Sequence, residues 1–267
     1  MKRIQLFEFE DFNWLPSTFR STMTKMLAVL HRVFGTKEVV GNVLHQIRQR
    51  HSFSQIVDLG SGSGGPMPMV VDYLYEQSPN DSIKLLLTDL HPNQQFVQAF
   101  NKHQDSHISY QSTPLDASNL SKAPKGLKTM ISSFHHMPPE IARKILKSAQ
   151  DNKQPLLIYE MAENNIPTIL WALMLPISLP ILMVMALVFL PFAKPLTSTD
   201  IAFTYLIPIV PVLYAWDGQA SIPRIYTFDD IKSSLLPEED ENYTWEIRPA
   251  QKKDGKSLGY YILGLPK

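Results

Sequence analysis

Short apolar runs alternate with longer stretches of helical spacing over the first three fifths of the chain. Runs of this length, bounded by turn residues, predict buried β-strands. Two later runs alternate apolar and polar residues and predict an antiparallel pair. Strands that alternate with helices favour an α/β domain with a parallel sheet. The predicted parallel strands cover residues 56–58, 83–89, 108–111, 129–134 and 155–159, and the terminal pair covers residues 243–247 and 258–263.

The first of these runs ends in an acid, Asp58, and then turns on closely spaced glycines before a helical stretch at residues 67–75. Glycines suit a turn in which bare backbone approaches a ligand, often at positive φ. Gly60, Gly62 and Gly65 satisfy the dinucleotide pattern G-x-G-x-x-G. A nicotinamide or flavin enzyme is therefore one interpretation of the turn.

Asp58, Gly60, Gly62 and Gly64 also satisfy the pattern acid-x-Gly-x-Gly-x-Gly, so the chain resembles the class I S-adenosylmethionine (SAM) methyltransferases. A carboxylate beside the loop would repel a pyrophosphate, whereas SAM carries an ammonium and a sulfonium. The resemblance implies a Rossmann-like doubly wound α/β sheet with a C-terminal β-hairpin. An N-terminal helical cap and an apolar helical insert would be added to it.

The resemblance also implies a set of cofactor-binding residues at the strand ends. In either family an acid at the position of Asp89 accepts hydrogen bonds from ribose hydroxyls. Asp116 would accept from the adenine amino group, although it could equally cap a short turn before Ser118. The expected SAM-binding set is Asp58, Gly60, Ser61, Gly62, Gly64, Asp89, Leu90, Asp116, Ala117 and Phe134.

His135 and His136 follow the fourth predicted strand, where the family places the methyl donor and the acceptor. Unperturbed histidine titrates near pH ~6.5, so either ring is a candidate general base for a hydroxyl, phenol or thiol acceptor. Glu160, which ends the fifth strand, is a further catalytic candidate. The alternative is that one histidine caps the helix near Pro139 while the other packs under the loop.

An insert of unusual composition follows the fifth strand. Residues 166–193 carry no charge, and a second apolar run covers residues 201–216. A stretch of ~20 apolar residues suffices to cross a bilayer. A soluble lid helix should instead show a polar face at helical spacing, and Thr168 and Ser178 are almost the only polar residues here. The insert therefore favours a membrane-associated hairpin or wedge over a soluble lid, with the catalytic domain on the cytoplasmic side.

These patterns predict four segments. They are an N-terminal helical cap (residues 1–50), a SAM-binding core (51–165), the hydrophobic hairpin or lid (166–216) and the remainder of the core (217–267). The length of 267 residues accommodates one α/β core with such additions. Nothing in the sequence indicates the oligomeric state.

Composition excludes some classes of function. Lys plus Arg and Asp plus Glu both number 25, and no basic run with interleaved aromatics occurs, so no nucleic-acid partner is expected. The chain has no cysteine. His103 and His107 stand four apart, but no Glu-based zinc motif surrounds them, and no metal is expected.

Three functions are consistent with the sequence. The first is SAM-dependent transfer of a methyl group to a small lipophilic acceptor at a membrane, with the acceptor atom undetermined. The second is a membrane-bound scaffold that keeps a SAM-type fold without catalysis. The third is a nicotinamide-dependent oxidoreductase.

Overall fold

The computed structural model describes residues 3–78, 82–102 and 107–267. The chain forms two compact units. One takes the N-terminal segment up to Phe34 together with residues 163–227, and the other takes residues 35–162 and 228–267.

The second unit contains a seven-stranded sheet in the order β3-β2-β1-β4-β5-β7-β6. Strands β1 to β5 are parallel, whereas β7 runs antiparallel to β5 and to β6. The predicted α/β class and the C-terminal hairpin are therefore confirmed. The strands are β1 (Gln55–Leu59), β2 (Lys84–Thr88), β3 (Ile108–Tyr110), β4 (Leu127–Ile131), β5 (Leu156–Glu160), β6 (Tyr243–Gln251) and β7 (Ser257–Pro266).

The helices of this unit bury apolar faces against the sheet. Buried valine, leucine and isoleucine side chains of α2 and α3 share one core cluster with the strands. The helix α5 is joined to the terminal hairpin, since Trp245 Nε1 donates to Gln150 Oε1 at 2.7 Å. The helices are α2 (Thr36–Arg50), α3 (Met67–Gln77), α4 (Gln94–Asn101), α5 (Pro139–Asp151) and the short α9 (Phe228–Asp230).

The fourth strand begins and ends earlier than its apolar pattern predicts, because of two residues. Lys128 is fully buried within it, and its Nζ donates to the carbonyls of Pro124 and Gly126 and to Gln154 Oε1. Burial lowers the pKa of Lys128 to about 8. Ser132 ends the strand with a left-handed φ of 53°. From the strand pattern alone, a lysine at this position is expected to lie outside the strand.

The first unit is helical. Its helices are α1 (Ser17–Phe34), α6 (Thr168–Phe189), α7 (Ser198–Ile201) and α8 (Ile209–Arg224). Buried residues of α1, α6 and α8 share one apolar cluster that includes Met26, Phe189 and Leu213.

Two predicted boundaries differ from this division. The helix α2, assigned to the N-terminal cap, belongs to the second unit because Val39, Leu44 and Ile47 lie in its core. The predicted hairpin or lid ends at Trp216, whereas α8 continues to Arg224, and the charges after Trp216 are paired inside the first unit. Asp217 accepts from the backbone N–H groups of Phe9 and Glu10, and Arg224 forms ion pairs with Glu8 and Asp11.

One helical stretch among the described residues, Thr168–Phe192, is long and apolar enough to cross a membrane. A second passes the same test only if the bent pair Ser198–Leu206 and Ile209–Arg224, inclined at 81°, is taken as one span. Only 17% of the most apolar stretch of the first helix is buried, so it is not the core helix of its unit.

Candidate functional site

The strand order reverses between β1 and β4, since the chain proceeds outward to β2 and β3 on one side and to β5 on the other. Ligands of open parallel sheets bind outside the carboxyl ends of the strands at such a reversal. The glycine turn follows β1 at this edge, and residues 132–137 follow β4. The candidate site is built from these two segments and from the ends of β2, β3 and β5.

The glycine turn has the backbone that its composition predicts. Gly60, Gly62, Gly64 and Gly65 all have positive φ, between 53° and 113°. A Cβ on Gly60 or Gly62 would meet nothing within 4 Å, whereas one on Gly64 would lie 2.7 Å from the Phe100 ring. Gly64 therefore serves packing, and the turn presents bare backbone to open space at Gly60 and Gly62.

Asp58 lies beneath this turn and is only 3% exposed. Ser61 Oγ donates to its Oδ2 at 2.7 Å and Thr129 Oγ1 donates to its Oδ1 at 2.6 Å. Burial raises the pKa of Asp58 from 3.8 to about 7, against the two hydrogen bonds, with a smaller increase from Asp89. The carboxyl thus ties the turn to β1 and β4, and it does not face the open side of the turn.

Asp89 follows β2 and is half-buried. Gly62 N donates to its Oδ2 at 2.9 Å, and His91 N donates to its Oδ1 at 2.8 Å. A carboxylate offers about four lone-pair positions, so each oxygen can still accept a ligand hydroxyl. Leu90, the next residue, is 47% exposed at the same edge.

The segment after β3 is joined to the same edge. Tyr110 OH donates to Gly62 O at 2.8 Å, and Leu115 N donates to Asp89 O at 2.9 Å. Burial raises the pKa of Tyr110, and the carboxylates of Asp89 and Asp58 add to the shift, so the phenol keeps its proton.

Asp116 is exposed, and its Oδ1 accepts from Ser118 N at 2.8 Å, which is the turn cap that the sequence left open as an alternative. Ala117 beside it is half-buried. This cap occupies one of the two carboxylate oxygens of Asp116, so it fixes the side chain without using all its acceptor capacity.

Two threonines support the site and were not singled out in the sequence. Thr88 and Thr129 are both fully buried. Thr88 Oγ1 donates to Asp58 O at 2.7 Å, while Thr129 Oγ1 donates to the Asp58 carboxyl. A hydroxyl residue in an otherwise apolar central strand is the sequence signal that marks both of them.

The histidines lie in a single turn of 3₁₀ helix, Phe134–His136, and the rings of His135 and His136 lie 4.3 Å apart. His135 makes two contacts with Glu160: its backbone N donates to Oε1 at 3.0 Å, and its Nδ1 lies 2.9 Å from Oε2. His135 is 7% exposed and Glu160 is 2% exposed. The structure therefore brings together two residues that the sequence named separately.

Phe134 is fully buried, so its ring is a packing element. Of the other histidines considered, His107 Nε2 lies 3.2 Å from Asp72 Oδ1, and its ring packs on Tyr75. His103 lies outside the described residues.

No family model and no curated protein sequence matches the chain. Solved structures are similar to it at low identity. The plantazolicin methyltransferase BpumL, in complex with a monoazolic desmethylPZN analog and SAH, is 14% identical, with a TM-score of 0.49 and coverage of 94% of this chain and 88% of the other.

The methyltransferase domain of bacterial CtHen1 is 9% identical, with a TM-score of 0.46 and coverage of 86% and 98%. A putative O-methyltransferase from Nostoc punctiforme PCC 73102 is 11% identical, with a TM-score of 0.43 and coverage of 86% and 56%. The α/β fold follows from the strand order and the strand pairing of this chain itself.

Proposed function

We propose that the chain is a SAM-dependent methyltransferase that acts on a small lipophilic acceptor at a membrane surface. The observation that carries the proposal is the glycine turn, open at Gly60 and Gly62 and hydrogen-bonded through Gly62 N to the Asp89 carboxylate. This combination provides bare backbone and a hydroxyl acceptor side by side, which is what binding of a nucleoside requires.

The sheet favours SAM over a dinucleotide. The doubly wound dinucleotide fold has six strands in the order 3-2-1-4-5-6. Here the strand beside β5 is the antiparallel β7, where that order has a sixth strand that follows the fifth in the chain. Asp89 suits the ribose of either ligand, whereas Asp116 adds a second acid at the exposed edge, which would favour a cationic ligand over a pyrophosphate.

Asp58 supports this proposal in a different way from the one its sequence position suggests. It is buried under the turn and accepts from Ser61 and Thr129, so its contribution is to hold the turn in shape. We assign the direct ligand contacts to Asp89 for the ribose hydroxyls and to Asp116 for the adenine amino group. Leu90 and Ala117 would border the base.

When bound, SAM would supply an electrophilic methyl group. The residues of the chain would position the acceptor and manage its proton, because methyl transfer depends chiefly on near-attack geometry. With Glu160 as a carboxylate acceptor, the Nδ1 of His135 carries the proton and Nε2 has the lone pair. His135 Nε2 would then take the proton of a hydroxyl, phenol or thiol acceptor, and Glu160 would be a positioning residue.

A membrane location is supported by the uncovered apolar surface of α6. Monomeric soluble proteins rarely expose a continuous apolar patch of this kind. A lipophilic acceptor dissolved in the bilayer would reach such a protein without passing through water. We place the catalytic unit on the cytoplasmic side.

Isothermal titration calorimetry of the full chain with SAM, SAH, NADH and NADPH tests the cofactor. The proposal expects saturable heat with SAM and SAH only. Heat with a nicotinamide cofactor and none with SAM would establish the oxidoreductase alternative. No heat with any of the four would leave the scaffold alternative.

Incubation with radiolabelled methyl-SAM and a lipid extract tests the substrate class. The proposal expects enzyme-dependent label in the organic phase, and the His135→Ala variant should reduce it. Label confined to the aqueous phase or to protein would contradict a lipophilic acceptor. SAM binding without transfer to any fraction would favour the scaffold.

A further inference from the structure

One face of α6 is uncovered along its whole length. Its large apolar side chains recur three or four residues apart, and each is between 56% and 77% exposed. This spacing places them on one side of the helix. We call this face the α6 stripe; its members are Ile169, Leu173, Ile177, Ile181, Val184 and Val188.

The opposite side of α6 packs within the first unit. Ala186 and Phe189 are buried in its apolar cluster. Tyr205 OH donates to Leu187 O at 2.7 Å, and Leu182 lies against Gly218 of α8. The helix is therefore covered on one side by protein and is not a free-standing span.

The chain connections decide whether α6 can cross a bilayer. At 1.5 Å per residue, its 22 residues extend over about 33 Å, enough to cross. Its first residue is separated from β5 by residues 161–167 only. Its last turn leads to Phe192 and Lys194, which line a cleft together with Arg32 of α1. Gly35 alone separates α1 from α2, which belongs to the sheet-containing unit.

The N-terminal end of α6 is thus joined to the sheet-containing unit by residues 161–167, and its C-terminal end lies beside the end of α1, which Gly35 joins to the same unit. A helix that crossed the bilayer would place its ends on opposite sides, and the sheet-containing unit cannot lie on both. The helix must therefore have both ends on one side of the membrane, which an orientation along the surface satisfies.

The cleft at the C-terminal end of α6 has the chemistry of a lipid headgroup site. It measures about 490 Å³ and combines the cations Lys25, Arg32 and Lys194 with the apolar side chains of Val29 and Phe192. Lys25 is paired with Asp200, so two of the three positive charges are not compensated by an ion pair among the described residues. Phe192 is 60% exposed and continues the apolar surface beyond the α6 stripe.

We infer that α6 lies along an anionic bilayer, with its stripe sunk into one leaflet, and that the Lys25–Arg32–Lys194 cleft holds a headgroup phosphate of an anionic phospholipid. Membrane binding of a surface element grows with the apolar area that it buries in the leaflet, and basic residues at the headgroup level add attraction to anionic lipids. The inference rests on the membrane association of the proposed function and deepens it.

Flotation of the full chain with vesicles of phosphatidylcholine, with and without phosphatidylglycerol, tests the cleft. Removing both uncompensated cations (Arg32→Gln with Lys194→Gln) should weaken binding to the anionic vesicles about thirtyfold, and should leave binding to neutral vesicles unchanged. The matched control is Lys144→Gln with Lys253→Gln, two exposed lysines of the sheet-containing unit. Equal losses in the two pairs would overturn the headgroup assignment, as would competition by inorganic phosphate, which would indicate a free-anion site.

The absence of cysteine permits a direct test of orientation. Single variants Ile169→Cys, Ile177→Cys and Val188→Cys carry a spin label whose depth is measured in vesicles. An in-plane helix gives three similar, shallow depths, whereas a crossing helix places Ile177 deepest. A label at Leu196→Cys should remain reachable by a membrane-impermeant maleimide outside the vesicles, and protection would overturn the inference.

The alternative to a lipid surface is that a second copy of the chain covers the α6 stripe. Light scattering in the absence of lipid would then show a dimer that Leu173→Lys dissociates, and vesicle binding would be absent. Calorimetry with SAM is independent of all these results, so failure of the membrane inference leaves the cofactor assignment standing, and the reverse also holds.

Discussion

Glu160 contacts a single residue, His135, through both carboxyl oxygens: Oε1 accepts from the backbone N, and Oε2 lies 2.9 Å from Nδ1. This pairing fixes the position of the imidazole, and an ionised Glu160 would favour the tautomer with the proton on Nδ1. In the proposed mechanism Nε2 is then the proton acceptor, which is the form that a general base needs.

Glu160→Gln should lower the rate of methyl transfer by about 10- to 100-fold, because an amide can donate to Nδ1 and so favours the wrong tautomer. The affinity for SAM should not change. Single-turnover rates and calorimetry on the same preparation check both parts. If the Glu160→Gln variant has the same rate as the wild type across the pH profile, Glu160 does not position His135.

Asp89→Asn should weaken SAM binding by about 10- to 100-fold, since hydrogen bonds to a charged group contribute about 1.5–3 kcal/mol. The structure adds that the same carboxylate holds Gly62 N, so the turn should also become more mobile. Asp254→Asn, at an exposed turn, is the control with the same change of charge. Equal SAM affinities in both variants would show that the ribose does not bind at the end of β2.

Gly60→Ala and Gly255→Ala form a matched pair. Both positions have positive φ (68° and 81°), and an added Cβ meets nothing within 4 Å at either. Each substitution should therefore cost about 1–2 kcal/mol of stability. Only Gly60→Ala should reduce SAM affinity, because its Cβ projects into the space assigned to the ligand. Denaturant unfolding and calorimetry separate the two effects, and equal SAM affinities would place the ligand elsewhere.

The buried Asp58 should make the protein less stable as the pH rises. Folded Asp58 keeps its proton up to about pH 7, whereas in the unfolded chain it is released near pH 3.8. Folding therefore takes up a proton in this interval. The stability that this group contributes is full below the lower value and is lost as the pH passes the higher one.

The loss amounts to a few kcal/mol, because each pH unit that separates the folded and unfolded pKa values corresponds to about 1.4 kcal/mol. Urea unfolding between about pH 4 and pH 7 measures it. Asp58→Asn, which keeps the shape and removes the ionisation, should give a flatter profile. A wild-type profile that rises over this interval would contradict the assignment.

Leu173→Lys with Ile177→Lys should move the protein from the membrane to the soluble fraction. These side chains are 70% and 67% exposed, so the substitutions remove apolar contact with lipid and leave the packed side of α6 intact. The melting temperature in detergent should stay unchanged, which separates this result from unfolding. Retention in the membrane fraction would reject the α6 stripe as the lipid-facing surface.

Much of the sheet could be predicted from the sequence, because each strand carries its own apolar pattern. The fourth strand was predicted with different bounds, since the buried Lys128 is stabilised by acceptors that the strand pattern does not show: the carbonyls of Pro124 and Gly126 just before the strand and the distant side chain of Gln154. The predicted end of the insert at Trp216 falls within α8, which continues to Arg224. In the sequence, Asp217 and Arg224 resemble surface residues. In the structure their partners are Phe9 N and the Asp11 carboxylate, near the N-terminus.

The sequence by itself determined the glycine turn, the acids at the strand ends and the apolar composition of α6, because local sterics, hydrogen bonding and hydrophobicity act on neighbours in the chain. Only the tertiary structure decided that Asp58 faces inward, that Glu160 holds His135, and that one side of α6 is covered while the other is not. Each of these features depends on contacts between residues that are distant in the chain. Such contacts, and not the local sequence pattern, set the energies of burial and pairing.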